Sequence, residues 1–131
     1  MTAFIDTNVL VYAQTSDPRG ETAREILRKG GTVSAQVLNE FTNVLRKKLG
    51  RSWDEIDQAI ADVEIAVGVA LPLTASHNQD ARAIASRDGI TFFDALIISS
   101  AAQANCGTLL TEDMQAGRTI SGVKIVNPFA N

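Results

Sequence analysis

Short apolar runs alternate with amphipathic stretches along this chain. Ala3-Phe4-Ile5 is a run of the first kind, and it stops at Asp6; after Thr7-Asn8, the run Val9-Leu10-Val11-Tyr12-Ala13 resumes with helical character. The pattern predicts a buried strand that ends at Asp6 and hands over to a helix. From Pro18 to Lys29, residues Ala23, Ile26 and Leu27 share one helical face; Asp17-Pro18 opens this helix and Gly30-Gly31 ends it. Thr32-Val33-Ser34 predicts a short strand. Val37, Leu38, Phe41, Val44, Leu45 and Leu49 recur at helical spacing over 35–49, and Gly50 stops them. Ser52-Trp53-Asp54-Glu55 reads as a capping box opening a helix that carries Ile56, Ile60, Val63 and Val67. Residues 69–74 predict a strand, which Pro72 places at a sheet edge.

Ser76-His77-Asn78-Gln79 reads as another capping box, and its helix is closed by Gly89. Thr91 caps a helix from Phe92 to about Asn105 whose apolar and small residues run nearly all round, so it is expected to be buried on most sides. Residues 107–111 and 124–126 predict the last strands. Strands alternating with helices imply a mostly parallel sheet covered on both faces. The expectation is one three-layer α/β domain over 1–131, with about five strands in its central sheet and helices on both faces.

Composition narrows the class. A hydrophobic content of 45% with 21% charged residues is that of a globular chain, and 131 residues suit one core. Aromatics make up only 5%, so small aliphatics must fill that core. No apolar run is long enough to cross a bilayer. The opening does not read as a secretory leader, because Asp6 interrupts it and no basic segment precedes it. A single cysteine, Cys106, forbids an internal disulfide and suits a reducing cytoplasm; it is expected to be a small buried hydrophobe. The lone His77 makes a histidine-rich metal site impossible and reads as an ordinary polar helix residue. A net charge of -3 argues against coating nucleic acid through bulk charge. It does not exclude an enzyme that handles nucleic acid through metal ions, since a carboxylate cluster would itself make the chain acidic.

Four carboxylates stand in unusual settings. Asp6 ends a buried strand, where it either caps the next helix or lines the crevice that open α/β sheets place at their carboxyl edge. Asp94 lies in the first turn of the most hydrophobic helix, as a cap partner of Thr91 or as a site residue. Asp113 follows the strand at 107–111, with Glu112 beside it as an alternative. Glu40 flanks the apolar stripe of its helix, and its neighbours three and four residues away, Gln36, Val37, Asn43 and Val44, include no base. Such an acid needs a partner from elsewhere, a metal ion or a distant arginine. Strand ends and helix starts share one edge of a parallel sheet, so all four are able to converge. Carboxylates without basic partners repel and call for cations; all-oxygen ligation suits Mg²⁺ or Mn²⁺ and metal-assisted phosphodiester or phosphoryl chemistry.

The same residues resemble a known family. Phe4-Ile5-Asp6-Thr7-Asn8-Val9-Leu10, Val37-Leu38-Asn39-Glu40-Phe41, Phe93-Asp94-Ala95-Leu96-Ile97 and Leu110-Thr111-Glu112-Asp113-Met114 are similar, in order, to the motifs of the PIN-domain ribonucleases, most closely the VapC-type toxins of toxin–antitoxin pairs. The resemblance implies a PIN-like fold and a metal-dependent endoribonuclease that hydrolyses RNA with a metal-activated water. It places the family's four acids on Asp6, Glu40, Asp94 and Asp113 as Mg²⁺ or Mn²⁺ ligands, the last through the family's spacing. It puts Thr7, Asn8 and Thr111 in supporting hydrogen bonds. It further implies a homodimer, and a cognate antitoxin that covers the site with a helix and an extended tail.

Two rivals carry distinct signatures. A haloacid-dehalogenase-like phosphotransferase needs a second aspartate two residues after the first, where this chain has Asn8. A catalytically silent PIN-like module that binds RNA or protein would have no need of intact acids. The densest basic cluster, Arg46-Lys47-Lys48 with Arg51, reads first as complement to a helix C-terminus and only second as an RNA phosphate contact. Trp53 beside it is expected to anchor its helix rather than stack a base.

Overall fold

The computed structural model describes residues 2–130; Met1 and Asn131, the ends of the expected domain, lie outside the described residues. The elements are β1 (Ala3–Ile5), α1 (Thr7–Ala13), α2 (Arg19–Lys29), α3 (Ala35–Lys47), α4 (Trp53–Val67), α5 (Ala75–Asp88), α6 (Phe92–Gln103), β2 (Thr108–Leu110), β3 (Thr119–Ile120) and β4 (Val123–Val126). The sheet order is β1-β2-β4-β3, with β1–β2 and β2–β4 parallel and β3–β4 antiparallel.

The sheet is therefore mixed and has four strands among the described residues, which corrects the expectation of a mostly parallel sheet of about five. Two segments read as strands contribute only isolated bridges, Phe4 to Thr32 and Ser34 to Leu71. At the first, Gly30 turns at φ +87° and Ser34 already caps α3, which leaves too few residues for a ladder. At the second, Leu71 donates to Val33 and accepts from Ala35, but Ala35 is already the first residue of α3, so its segment leaves the extended conformation after one bridge. The antiparallel strand β3 escapes a periodicity reading because it is so short. It is built by the turn Ser121-Gly122, where φ values of 51° and 78° give the two positive angles of a tight hairpin.

Burial follows the sequence pattern closely. Successive strand residues point to opposite faces, and Phe4 and Ile5 are both fully buried, so β1 is covered on both sides. On β4, Val123 and Ile125 are buried while Lys124 is exposed, so one face there meets solvent. Residues Ala95 to Ala101 of α6 are all buried, Phe93 in its first turn and Gln103 at its end are exposed, and α5 packs along this helix. α1 packs on α2 and α3. Cys106 is buried, which pushes its thiol pKa up.

Helix ends differ from expectation at three places: α2 takes Pro18 rather than Asp17 as its N-cap residue, α3 ends at Lys47 rather than Leu49, and α5 starts early. The capping box expected at Ser76 sits two residues earlier, where the Thr74 N–H donates to Nδ1 of His77 at 3.0 Å. His77 is buried and closes the helix start, rather than serving as a general polar residue. The Ser52–Glu55 box is present with both reciprocal bonds. No described helix is long and apolar enough to cross a membrane.

Candidate active site

The carboxyl ends of β1 and β2 lie side by side, because Ile5 is paired with Leu110 and the Asp6 N–H continues the ladder to the Leu110 carbonyl at 3.1 Å. The next side chains beyond that pair are Asp6 and Thr111, and both are buried. Asp6 has extended backbone angles and is the N-cap of α1; its Oδ1 accepts the Thr7 N–H at 2.7 Å. Its other oxygen, Oδ2, accepts the Thr111 hydroxyl at 2.8 Å.

The Thr111 hydroxyl also accepts from Nδ2 of Asn8 at 3.0 Å and from the Asp113 N–H at 3.1 Å. One proton donated and two lone pairs filled exhaust what a hydroxyl can do. Asn8 is fixed from the other side, since its Oδ1 accepts the Glu112 N–H at 3.1 Å. That bond aims Nδ2 toward Asp113 Oδ2 at 3.1 Å and, more weakly, Asp6 Oδ2 at 3.5 Å. Glu40 comes from the second turn of α3, where its Oε2 accepts the Thr7 hydroxyl at 2.9 Å and its Oε1 accepts Nε2 of Gln36 at 3.2 Å.

Asp94 stands apart from this network. Its N–H donates to the Thr91 hydroxyl at 3.3 Å, so the capping reading holds for its backbone. Its side chain lines a cavity of about 230 Å³ that also reaches Asp113. The four acids thus border one region, but Asn8 and Thr111 stand between Asp6 and Asp113, and Glu40 turns to Thr7. Among the described residues no three acidic, histidine or cysteine side chains are close enough to hold a metal ion as they stand. The acids therefore border a common region without forming a compact group.

The electrostatics of the group are those of unneutralised acids. Among the described residues, none of Asp6, Glu40, Asp94 and Asp113 forms a salt bridge. Burial pushes the Asp6 pKa up from 3.8 to about 6, and the charges of Glu40 and Asp113 add to that rise against the bonds from Thr7 and Thr111. An all-oxygen, anionic donor set with one carboxyl driven toward neutrality fits a hard divalent cation in its chemistry.

Glu112 has a different task. It accepts the Tyr12 hydroxyl at 2.6 Å and pairs with Arg19 at 3.1 Å, while Arg19 lies over the Tyr12 ring at 4.2 Å and also pairs with Asp17. The Glu112 bond raises the Tyr12 pKa to about 12, and the Arg19 guanidinium holds Asp17 down at about 2. The clamp ties the loop after β2 to α1 and α2, and turns Glu112 away from Asp113. Sequence reasoning missed Tyr12 and Arg19; the one available signal was Tyr12 standing four residues after Asn8, on the same helical face.

A family model for the PIN domain matches residues 3–119. The chain belongs to the PIN-domain family. Comparison with curated proteins gives no match. Among solved structures, this PIN domain is similar to VapC20 of Mycobacterium tuberculosis, described as a sarcin–ricin loop cleaving toxin; identity is 21%, TM-score 0.64, and the match covers 82% of this chain and 87% of that one. FitAcB from Neisseria gonorrhoeae matches with 21% identity and TM-score 0.67, covering 98% and 99% of the two chains. A toxin–antitoxin complex from Klebsiella pneumoniae matches with 17% identity and TM-score 0.75, covering 98% of each. At such identities these likenesses establish the fold. The family match leaves the phosphotransferase reading without support, in line with Asn8 where that chemistry needs an aspartate.

Proposed function

We propose that this PIN domain is a metal-dependent endoribonuclease and the toxin of a type II toxin–antitoxin pair. The observation that carries the reading is a buried Asp6, hydrogen-bonded through both oxygens, beside Glu40 and Asp113, with no salt bridge to any of the three among the described residues. The kinship with VapC20, FitAcB and the Klebsiella complex supports both a nuclease activity and an antitoxin partner.

Asp6, Glu40, Asp94 and Asp113 would hold Mg²⁺ or Mn²⁺. A divalent ion held there supplies charge neutralisation for the phosphodiester and acidifies water for attack on phosphorus. The chain's own residues prepare that event. Thr111 and Asn8 keep Asp6 and Asp113 in fixed register, and Thr7 with Gln36 fixes both oxygens of Glu40. The Tyr12–Arg19–Glu112 clamp holds the loop that carries Asp113. A cavity of about 450 Å³ between α1 and α3, open to Glu40 and Asp113, admits the substrate strand.

The test is cleavage of total RNA by the purified chain, with cut sites mapped. Cutting is expected with Mg²⁺ or Mn²⁺, to stop in EDTA and to return with Mn²⁺. Asp6→Asn and Asp94→Asn should each lower it by more than about 100-fold, beyond the 10–100-fold typical of supporting residues. Full metal-dependent cleavage by Asp6→Asn would overturn the assignment. A silent binding module, the reading favoured by the absence of a compact acid cluster, predicts RNA binding without cuts under every metal condition.

A further inference from the structure

Two cavities meet at Asp113. One lies between α1 and α3 and is lined by Tyr12, Glu40, Asn43 and Lys48 as well as Asp113. The other lies against α6 and is lined by Asp94, Met114, Gln115 and Arg118 as well as Asp113. Each contains a single basic side chain, Lys48 in the first and Arg118 in the second. Both share their cavity with carboxylates, yet among the described residues neither forms a salt bridge with them.

Arg118 is held in place without being consumed. Its Nη2 donates to the Asp88 carbonyl at 2.7 Å, at the end of α5, and its other guanidinium N–H groups make no hydrogen bond among the described residues. A planar fork with free donors, anchored at one corner, suits a phosphate. The basic cluster at the end of α3 divides in a similar way. Arg46 donates to the Arg51 carbonyl and lies over Trp53 at 4.6 Å, and Arg51 donates to the Gln14 carbonyl. Lys48 is the member of the cluster that lines the cavity. Trp53 is 57% exposed, and its contact with Arg46 joins the start of α4 to the end of α3.

Resting on the ribonuclease reading, we infer that a single RNA strand crosses the site over Asp113, from one cavity into the other. Lys48 holds a phosphate on one side of the scissile bond and Arg118 a phosphate on the other. Each is a positioning residue, and together they give an acidic protein two local cationic contacts for a polyanion without placing a base inside the acid network. A strand so held presents the intervening phosphodiester at Asp113, next to Asp6 and Glu40.

The test is binding of a fluorescent single-stranded RNA oligonucleotide to the full chain in EDTA, measured by anisotropy over a salt series. Lys48→Gln and Arg118→Gln should each weaken binding several-fold and make the salt slope shallower by about 0.7, the value for one single-strand phosphate contact. Arg118→Lys should recover the slope, and Lys47→Gln should leave it unchanged. Neutral methylphosphonate linkages placed one at a time along the oligonucleotide then locate each contact. One linkage should erase the effect of Lys48→Gln and a different one that of Arg118→Gln, with at least one linkage between them. Slopes equal to that of the unaltered chain, or both variants masked by the same linkage, would overturn the path. If the unaltered chain binds RNA but never cuts it with Mg²⁺ or Mn²⁺, the ribonuclease reading fails while the linkage scan still decides the path; if it cuts with metal but binds no RNA in EDTA, the path fails and the ribonuclease reading stands.

Discussion

The metal-free fold should lose stability as the pH rises from 4 to 7, and the cause is Asp6. Its carboxyl has an ordinary value of 3.8 in the unfolded chain and about 6 in the fold. Over that window the native state binds more protons than the unfolded state, so the slope of unfolding free energy against pH is negative. With one pKa unit worth about 1.4 kcal/mol, the loss between pH 4 and pH 7 comes to roughly 2.5 kcal/mol. For a domain of this size that corresponds to a fall on the order of 8–10 °C in melting temperature. The lowered pKa values of Asp17 and Glu55 act the other way: their contribution is present above their unfolded values of 3.8 and 4.5 and is lost as pH falls through them, so they oppose Asp6 only at the acid end of the window, and the fall above about pH 5 belongs to Asp6. The assay is urea unfolding followed by circular dichroism in EDTA at a series of pH values. Asp6→Asn is the control. It keeps an acceptor for the Thr7 N–H but turns an amide toward the Thr111 hydroxyl, which shifts stability by an amount that does not depend on pH. Its profile should therefore be flat where the parent's falls. A parent profile that rises or stays level from pH 4 to 7, or an Asp6→Asn profile with the parent's slope, would refute the reasoning. Adding Mg²⁺ separates burial from ligation: at pH 7 an ion at 100 times its dissociation constant should restore about 2.7 kcal/mol, and at pH 4 far less. No response to Mg²⁺ or Mn²⁺ would sink the metal proposal and leave the burial argument intact.

Other consequences concern single side chains. Thr111→Val keeps the shape but strips three hydrogen bonds from a fully buried hydroxyl; it should destabilise the fold by about 1–3 kcal/mol and move the Asp6 titration, followed by side-chain carboxyl NMR, still higher, with Thr111→Ser restoring both. Gly20→Ala would place a methyl 2.8 Å from the Tyr12 carbonyl and 2.9 Å from the Thr15 carbonyl. Because both are backbone atoms, α2 must move, and chemical denaturation should show a loss of about 1–3 kcal/mol.

Local chemistry was legible wherever it depended on spacing along the chain. The Ser52–Glu55 box, the all-round burial of α6 and the end of β1 at Asp6 all follow from residues within a few positions of one another. The failures share a cause as well. Residues 69–74 carry the composition of a strand, but their partner segment turns into α3 at Ala35 after a single bridge, and composition does not say what lies alongside. The hairpin at Ser121-Gly122 depends on two positive φ angles flanked by strands too short to show a period. His77 looked unremarkable because its partners are the N–H and hydroxyl of Thr74, and a capping-box pattern asks for Glu or Gln, not His, at that spacing. Glu112 was left beside Asp113 as an alternative because the residue that claims it, Arg19, lies far away in the chain.

Asp6 shows why two readings of one residue need not compete. The sequence poses a choice between helix cap and site carboxylate, as though one side chain had one task. In the fold the two tasks fall on different oxygens: Oδ1 caps α1 through Thr7, and Oδ2 faces Thr111 and the amide of Asn8. The capping bond fixes the carboxyl's orientation with a group that carries no charge, so it does not neutralise the acid as an arginine would. The supporting groups, Thr7, Asn8 and Thr111, are neutral in the same way. On the proposed metal-dependent reading, the site has reason to orient its acids with amides and hydroxyls and to keep its bases at the margin, where Lys48 and Arg118 stand. Glu112 is the instructive exception: it is the acid of this loop that does have an arginine, and its carboxylate is taken up by Tyr12 and Arg19 rather than by the groups that hold the other four.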